Sequence, residues 1–146
     1  MAHVFVAMSG GVDSSTAALL LQEARRDAEA VARRLGFPFH TFDVSPVFRE
    51  TVLQNFVREY QAGRTPNPCA VCNRAVKFGA LLDQVRSMGA DYLATGHYAR
   101  VQRDQASGRY LLLRGLDRSK DQSYFLYMLT QEQLSHVLFP LGGLDK

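Results

Sequence analysis

Residues His3–Ser15 read HVFVAMSGGVDSS, and three successive elements of the fold can be predicted from this point onward. Its first part, His3–Met8, is a short apolar run rich in β-branched and aromatic residues, which is typical of a buried strand. The glycines at positions 10 and 11 then end the strand in a tight turn. From Ser14 to Leu35, apolar residues recur at the spacing of one helix face. Gly36 ends this pattern, so the stretch predicts a strand, a glycine-rich loop and a helix in direct succession.

We call Ser9–Ser15 the glycine loop, and its composition is typical of a phosphate-binding loop. Glycines let the backbone approach a ligand closely, so that successive N–H groups can point at an anion. The N-terminus of the following helix adds partial positive charge, and the hydroxyls of Ser14 and Ser15 add donors. Asp13 is a candidate magnesium ligand, because Mg²⁺ usually arrives with substrate phosphates and one or two carboxylates. The alternative is an ordinary strand–helix turn in which Ser or Asp caps the helix.

Beyond the first helix, strands continue to alternate with helices. Three further strands are predicted from short apolar runs bounded by turn residues: Phe37–Val44, Tyr92–Gly96 and Arg109–Leu113. Helices are predicted from Ser45-Pro46, as N-cap and first-turn proline, to Gly63, and over residues 74–88. Arg64–Asn73 is predicted to be irregular, because its two prolines interfere with both helix and strand pairing. Thr130–Gln133 (TQEQ) resembles a capping box that opens a short helix.

This alternation predicts an α/β fold with an open, mainly parallel, doubly wound sheet and helices on both faces. The 146 residues suit one domain, and 47% hydrophobic with 21% charged residues is near the average of soluble globular proteins. No apolar run approaches the ~20 residues of a membrane span, and the N-terminus lacks the features of a signal peptide. We therefore predict a cytoplasmic protein with no membrane partner.

Basic residues are concentrated in two segments of a chain whose net charge is only +3. Residues 99–120 hold six basic and two acidic side chains, a local net charge of +4. Residues 64–77 add Arg64, Arg74 and Lys77 with no acidic residue. Such segments fit the phosphate backbone of a nucleic acid, and the alternative is a solvated, turn-rich surface.

Cys69 and Cys72 are the two cysteines of the chain, three positions apart. In a cytoplasmic protein this spacing favours reactive or metal-binding thiols over a structural disulfide. A structural zinc site needs four ligands, and iron–sulfur clusters generally need more than two cysteines. A thioredoxin-like redox pair usually opens a helix after a strand, whereas this pair follows Pro-Asn-Pro.

The motif SGGVDSS resembles the pyrophosphate-binding loop (PP-loop) of the N-type ATP pyrophosphatases, which cleave ATP to AMP and pyrophosphate while adenylating a carbonyl oxygen. Three further segments resemble bacterial tRNA-specific 2-thiouridylases, in the same order along nearly the whole chain. They are GRTPNPCAVCNRAVKF (63–78), ATGHYAR (94–100) and LRGLDRSKDQSYFLYMLTQEQL (113–134). This resemblance implies an adenine nucleotide alpha hydrolase-like fold. It also implies ATP-dependent 2-thiolation of the wobble uridine in tRNAs for lysine, glutamate and glutamine.

The resemblance also implies roles for single residues. Cys72 matches the catalytic cysteine, and we expect Arg64, Arg74 and Lys77 to favour its thiolate if they lie close to it. The implied nucleotide contacts are Ala7, Met8, Ser9, Gly10, Gly11, Val12, Asp13, Ser14 and Gly96. The implied contacts to tRNA and its target base are Asn67, Pro68, Cys69, Lys120, Asp121 and Gln122. ATP, Mg²⁺, tRNA and a sulfur-relay protein of a cysteine desulfurase pathway are the implied cofactors and partners.

Four aromatic or imidazole side chains near these positions have two interpretations each. Tyr98, Tyr124 and Phe125 are candidate stacking faces for bases, with core packing as the alternative, above all for Phe125. His97 is either a phosphate contact or a structural imidazole.

The chain departs from the family pattern at three places. Some family members have Asp where Cys69 stands, which argues against an acid/base role here and leaves three alternatives for Cys69: a bystander, a persulfide relay or a ligand. Between Glu23 and Ala24, the strand that supplies backbone contacts to adenine is missing, although the helical stripe continues in phase across this junction. The chain also ends before the family's second cysteine, which carries the persulfide. Residues 1–146 are therefore predicted to be a PP-loop catalytic domain, a fragment that lacks the later tRNA-binding domains and does not complete the reaction alone.

Two other functions remain as alternatives. One is a different PP-loop enzyme, either a cluster-dependent tRNA thiolase or an amidating ligase. The other is a non-catalytic module that binds tRNA or a nucleotide.

Overall fold

The computed structural model describes residues 4–7 and 17–145. The chain divides into two compact units, a smaller one of Ala7–Phe42 and a larger one of Met1–Val6 with Asp43–Lys146. In the smaller unit, helix α1 covers Ala17–Leu35 and passes through the junction of Glu23 and Ala24 without a break. Gly36 ends it at a φ of +73°, as predicted, because only glycine adopts this backbone conformation without strain.

A three-stranded sheet has the strand order β1-β2-β5, formed by Val4–Ala7, Tyr92–Thr95 and Val137–Leu138. Strands β2 and β5 are parallel, with Leu93 opposite Val137 and Ala94 opposite Leu138. The first two strands confirm the strands predicted near the N-terminus and after residue 91. A parallel sheet combined with helices confirms the α/β class.

A separate antiparallel pair consists of β3 (Ala99–Arg103) and β4 (Tyr110–Arg114). The second strand was predicted, and the turn before it contains Gly108 at a φ of +70°. The first strand was missed, because its sequence ARVQR offers Val101 as its one large apolar residue.

The remaining helical segments of the larger unit form two long runs and three short pieces. The first run is α2 (Ser45–Phe48), a π-helical segment (Arg49–Leu53) and α3 (Gln54–Gln61). The second is α4 (Pro68–Cys72), a second π-helical segment (Asn73–Leu81) and α5 (Leu82–Ser87), which together we call the cysteine helix. The short pieces are α6 (Gln131–Ser135) and 3₁₀ turns at Ser123–Phe125 and Pro140–Gly143. The capping box at the start of α6 is confirmed, with Thr130 and Gln133 bonded in both directions.

The strand predicted at Phe37–Val44 is wrong, because these residues have no regular structure. Phe37 is 65% exposed, so this run lacks the apolar partner surface that would make a strand favourable. At its end, Asp43 Oδ1 accepts a hydrogen bond from the Ser45 N–H at 2.9 Å, a local turn that leads into α2. The predicted N-cap is also one residue off, since Val44 holds the cap position and Ser45 begins the helix.

The irregular segment predicted at Arg64–Asn73 is wrong from Pro68 onward, where α4 begins. Asn67 caps this helix, its side chain accepting a hydrogen bond from the Ala70 N–H at 3.1 Å. Pro68 occupies the first turn, where an amide would have no helical partner in any case. The second proline therefore starts a helix rather than preventing one.

The core of the larger unit packs the cysteine helix against β2 and the C-terminal part of the chain. Its largest fully buried side chains are Phe78, Leu93, Leu126 and Val85. The rings of Phe78 and Phe139 meet edge to face, with centroids 5.8 Å apart. None of the helices in the described part of the chain has the length and apolar character of a membrane span.

Candidate functional site

Most of the predicted nucleotide contacts lie outside the described residues. These are Met8, Ser9, Gly10, Gly11, Val12, Asp13 and Ser14, and their roles stay predictions. Ala7 is described as the last residue of β1. Gly96 directly follows β2, at the carboxyl end of a parallel strand, which is where open α/β sheets bind ligands.

The two cysteines lie in α4, close to its N-terminus. Both are free thiols, with Cys69 exposed and Cys72 partly buried. Residues three apart on a helix share a face, so the two thiols neighbour each other. Asn67 and Pro68 directly precede them and form the start of the helix. The predicted catalytic cysteine and the predicted target-base segment are therefore brought together by one helical turn.

The protonation of Cys72 is governed first by burial. Burial raises the pKa of the Cys72 thiol, the positive charge of Lys77 lowers it, and the neighbouring Cys69 raises it, so that the pKa ends above its ordinary value. The expectation that close basic neighbours favour the thiolate is confirmed for Lys77, but burial outweighs its effect.

Only one of the three expected cations acts on this thiol. The guanidinium of Arg64 is instead bound to Glu59, with Nε donating to Oε2 at 2.6 Å and Nη2 donating to Oε1 at 2.9 Å. Arg74 is exposed, and the positive charge that lowers the pKa of Cys72 is that of Lys77. Lys77 lowers the pKa of Cys72 and is partly buried.

His97 lies in an apolar setting directly after Gly96. Its Nδ1 is 2.7 Å from Thr95 Oγ1, and its ring lies 5.7 Å from that of Phe78 and 5.8 Å from that of Phe139. Burial, together with the nearby charge of Lys77, lowers the pKa of His97 to about 4. The imidazole is therefore neutral at pH 7, and its contacts favour the structural interpretation over the phosphate contact.

The second predicted tRNA segment combines one exposed cation with two residues that shape its loop. Lys120 is exposed. Asp121 accepts hydrogen bonds from the Gly115 N–H at 3.0 Å and the Ser123 hydroxyl at 2.9 Å. Burial acts to raise the pKa of Asp121, but these donors outweigh it and the pKa is lowered. Asp121 is therefore ionised and serves to hold its loop.

Gln122 connects this loop to the segment after β2. Its N–H donates to the Tyr98 carbonyl at 2.9 Å, and its Oε1 accepts from the Tyr98 N–H at 3.1 Å. Tyr124 is 58% exposed and lies against the ring of Phe125, with centroids 3.8 Å apart. Of the candidate stacking faces, Tyr124 is the most accessible.

Asn73 is a residue that sequence reasoning missed. It is 4% exposed, and its Nδ2 donates to the Phe125 carbonyl at 3.2 Å. This bond joins the cysteine helix to the turn that follows Lys120–Gln122. Together with the Gln122–Tyr98 pair, it gathers three predicted site segments, 67–72, 96–98 and 120–122, in the larger unit. The signal that could have indicated Asn73 is its place as a polar residue directly after the cysteine pair, because a polar side chain that becomes buried needs a hydrogen-bond partner.

No cluster of three or more metal-ligating side chains occurs within the described part of the chain. Asp13, the candidate magnesium ligand, is not included in that part.

A family model described as a tRNA methyl transferase HUP domain matches residues 2–27 and 21–146. The two matches together cover nearly the whole chain. They meet at residues 21–27, where the sequence departs from the family pattern between Glu23 and Ala24.

The chain is also similar to curated proteins named tRNA-specific 2-thiouridylase MnmA. It is 51% identical to the one from Desulforudis audaxviator, over 161 residues that cover 100% of this chain and 47% of that protein. It is 48% identical to the one from Bacillus velezensis, over 170 residues covering 99% of this chain and 45% of that protein. It is 46% identical to MnmA 2 of Thermoanaerobacter sp. over 175 residues, which cover 99% of this chain and 48% of that protein. The chain thus spans about half the length of these relatives.

Proposed function

The chain belongs to the tRNA methyl transferase HUP-domain family, and from this membership we propose that it is the nucleotide-binding, sulfur-transferring part of a tRNA 2-thiouridylase. The observation that carries this proposal is the identity of 46–51% to named 2-thiouridylases over at least 99% of the chain in the three relatives above. Because the chain spans about half of each relative, the complete reaction is proposed for the whole protein.

The proposed chemistry replaces an oxygen of uracil by sulfur. The 2-carbonyl carbon is a poor electrophile, and ATP supplies an adenylyl group that turns its oxygen into a leaving group. Attack by sulfur at this carbon then expels AMP with the oxygen. We assign Cys72 as the thiol that attacks this carbon and expels AMP, since it is a partly buried free thiol beside a cation. Sulfide then attacks the same carbon and expels the Cys72 thiolate, which leaves sulfur on the uracil and frees the cysteine.

Nucleotide binding is assigned to the glycine loop and to Gly96. The loop sequence carries the first assignment, and Asp13 is the residue that would hold Mg²⁺, which would supply charge to neutralise the phosphates. The position of Gly96 at the carboxyl end of β2 supports the second.

Recognition of tRNA is assigned to the segments Asn67–Cys69 and Lys120–Gln122. The first adjoins Cys72 on the same helical turn, which suits contact with the base that reacts. The second carries the exposed Lys120, which suits a phosphate. The wobble base is stacked in the anticodon, so it must be turned out toward Cys72, and Tyr124 offers a stacking face.

The test is AMP formation and thiolation with two matched tRNA transcripts, one with uridine and one with cytidine at the wobble position. The chain, and the full-length protein, are incubated with ATP, Mg²⁺ and sulfide, which bypasses a relay protein. We expect AMP to form with the uridine transcript alone, and thiolated tRNA to be absent with the Cys72→Ala variant.

Three outcomes would contradict the proposal in different ways. Normal thiolation by the Cys72→Ala variant would refute the assignment of the nucleophile. Binding of tRNA without any AMP formation, also in the full-length protein, would favour a non-catalytic module. An iron–sulfur absorbance band in anaerobically purified protein would favour a cluster-dependent thiolase.

A further inference from the structure

The cysteine helix changes its winding directly after Cys72. The segment Asn73–Leu81 is π-helical, whereas Pro68–Cys72 before it and Leu82–Ser87 after it are α-helical. A π-helix pairs each amide with the carbonyl five residues earlier. Such turns are rare in proteins overall, but those that occur are often found at functional sites. This one begins directly after the proposed nucleophile.

The winding determines which side chain neighbours Cys72. In an α-helix, a residue five positions further on is rotated by about 140° away from the starting face. A π-helix winds more slowly, so residues five apart come onto the same side of the helix, much as residues four apart do in an α-helix. Lys77 is five positions after Cys72, so the π-helical register brings its ammonium group onto the face of the thiol.

The electrostatics of the site agree with this placement. The charge of Lys77 lowers the pKa of Cys72 and also that of His97, so the ammonium group lies within reach of both. Among the described residues, Lys77 and Cys69 are the titratable groups that act on the Cys72 thiol.

Gly79 permits the π-helical register. A Cβ at this position would lie 2.9 Å from the carbonyl oxygen of Arg74, five residues earlier, and real Cβ atoms do not come so close to backbone oxygen. Any residue other than glycine would therefore force the segment to shift.

Gln133 holds the same segment from outside. From α6, its Nε2 donates to the Arg74 carbonyl at 2.9 Å and to the Phe78 carbonyl at 2.8 Å. Its Oε1 accepts from the Thr130 N–H at 3.0 Å, which fixes the orientation of the amide. One side chain thus bridges two carbonyls of the π-helical segment.

We propose that Gly79 and Gln133 are positioning residues, which hold Asn73–Leu81 in the π-helical register that sets Lys77 over Cys72. The importance of Cys72 rests on the proposed function, whereas the placement of Lys77 does not. The two can therefore be tested separately.

The experiment measures alkylation of Cys72 by iodoacetamide as a function of pH, in the 146-residue chain without ATP or tRNA. A Cys69→Ser background leaves one thiol. In this background, Lys77→Met is expected to slow alkylation at pH 7.5 by about three- to tenfold, because loss of the neighbouring charge raises the pKa of the thiol and so lowers the thiolate fraction. In a Gly79→Ala or a Gln133→Glu background, the same substitution should change the rate by less than about 1.5-fold.

Gln133→Glu is the sharper of the two backgrounds. The carboxylate still accepts from the Thr130 N–H, as in an ordinary capping box, but has no donor for the Arg74 and Phe78 carbonyls. Thr130→Ala is the matched control, because it removes the hydroxyl that accepts from the Gln133 N–H and leaves the side-chain bonds of Gln133 in place. The effect of Lys77→Met should persist in full there.

Circular dichroism establishes that each variant is folded. If Gly79→Ala does not fold, Gln133→Glu decides. An equal effect of Lys77→Met in all backgrounds, or none in the reference chain, would overturn the proposal. If the effect of Lys77→Met were also lost in the Thr130→Ala background, the cause would be a general destabilisation of α6 and not the bonds of the Gln133 side chain. That result would overturn the proposal too. Absence of thiolation together with the expected alkylation pattern would refute the proposed function alone.

Discussion

Replacing Asn73 tests whether one buried hydrogen bond joins the cysteine helix to the loop of Lys120–Gln122. Asn73 is 4% exposed and donates to the Phe125 carbonyl at 3.2 Å. Asn73→Ala removes the donor and takes a partner from a carbonyl in the protein interior. Such a loss lowers the free energy of unfolding by about 1–3 kcal/mol. For a chain of this size, a loss of about 2 kcal/mol lowers Tm by roughly 4–8 °C.

Asn73→Asp is the more discriminating change, because it keeps the shape and alters the hydrogen-bonding chemistry. An ionised carboxylate only accepts, so it would face the Phe125 carbonyl oxygen without a proton between them. Burial raises the pKa of such a carboxyl in the folded state above its unfolded value of about 3.9. The loss in free energy of unfolding relative to the wild-type chain is therefore smallest below this pH, where the carboxyl is protonated in both the folded and the unfolded state. The loss grows as the pH rises toward the folded-state pKa. At pH 7 it should exceed the deficit of Asn73→Ala.

The assay is urea unfolding followed by circular dichroism at pH 7 and at pH 4. Gln54→Ala, on the exposed side of α3, is the control and should stay within about 0.5 kcal/mol of the wild-type chain. If Asn73→Ala stayed within that same margin, the bond to the Phe125 carbonyl would not contribute the expected stability. A pH-independent deficit for Asn73→Asp would contradict this expected contribution as well.

Two further predictions concern the apolar setting of the site. The imidazole of His97 should titrate by NMR with a midpoint near its pKa of about 4, and a midpoint above 6 would contradict its burial. Because the folded-state pKa is the lower one, the stability that neutral His97 contributes is present above the unfolded pKa of about 6.5 and is lost as the pH falls toward 4. Phe78→Ala should lower the free energy of unfolding by about 3–5 kcal/mol, because Phe78 is fully buried. Phe37→Ala, at a side chain that is 65% exposed, should cost less than about 0.5 kcal/mol in urea unfolding, and equal losses would contradict the assignment of the core.

The elements that sequence patterns predicted correctly are those decided within a few residues. The strand at Tyr92–Thr95 and the capped helix at Gln131–Ser135 depend on local apolar runs and on one cap. The run Phe37–Val44 has the same local pattern, yet it forms no strand. A strand also needs a neighbour to pair with, and a single run of residues contains no information about its neighbour.

The site illustrates the same limit at the level of single charges. The sequence places Arg64, Arg74 and Lys77 near Cys72, and only the lysine acts on the thiol. Arg64 instead forms an ion pair with Glu59, five residues earlier, across the end of the preceding helix. The choice between the other two depends on the winding of the helix, which residue spacing alone does not reveal. Spacing read as an α-helix would turn Lys77 away from the thiol.

Helix α1 shows why the spacing of apolar residues also cannot reveal a missing segment. The apolar stripe continues in phase across Glu23 and Ala24, so a single helix forms through this point at no local cost. The alignment with MnmA 2 of Thermoanaerobacter sp. nevertheless runs over 175 residues, whereas the chain has 146, so that relative contains residues with no counterpart here. The family model breaks at the same junction. A continuous helix requires only that the apolar residues on both sides of the junction lie on the same face. Its continuity therefore gives no information about residues that a relative has between the same two positions.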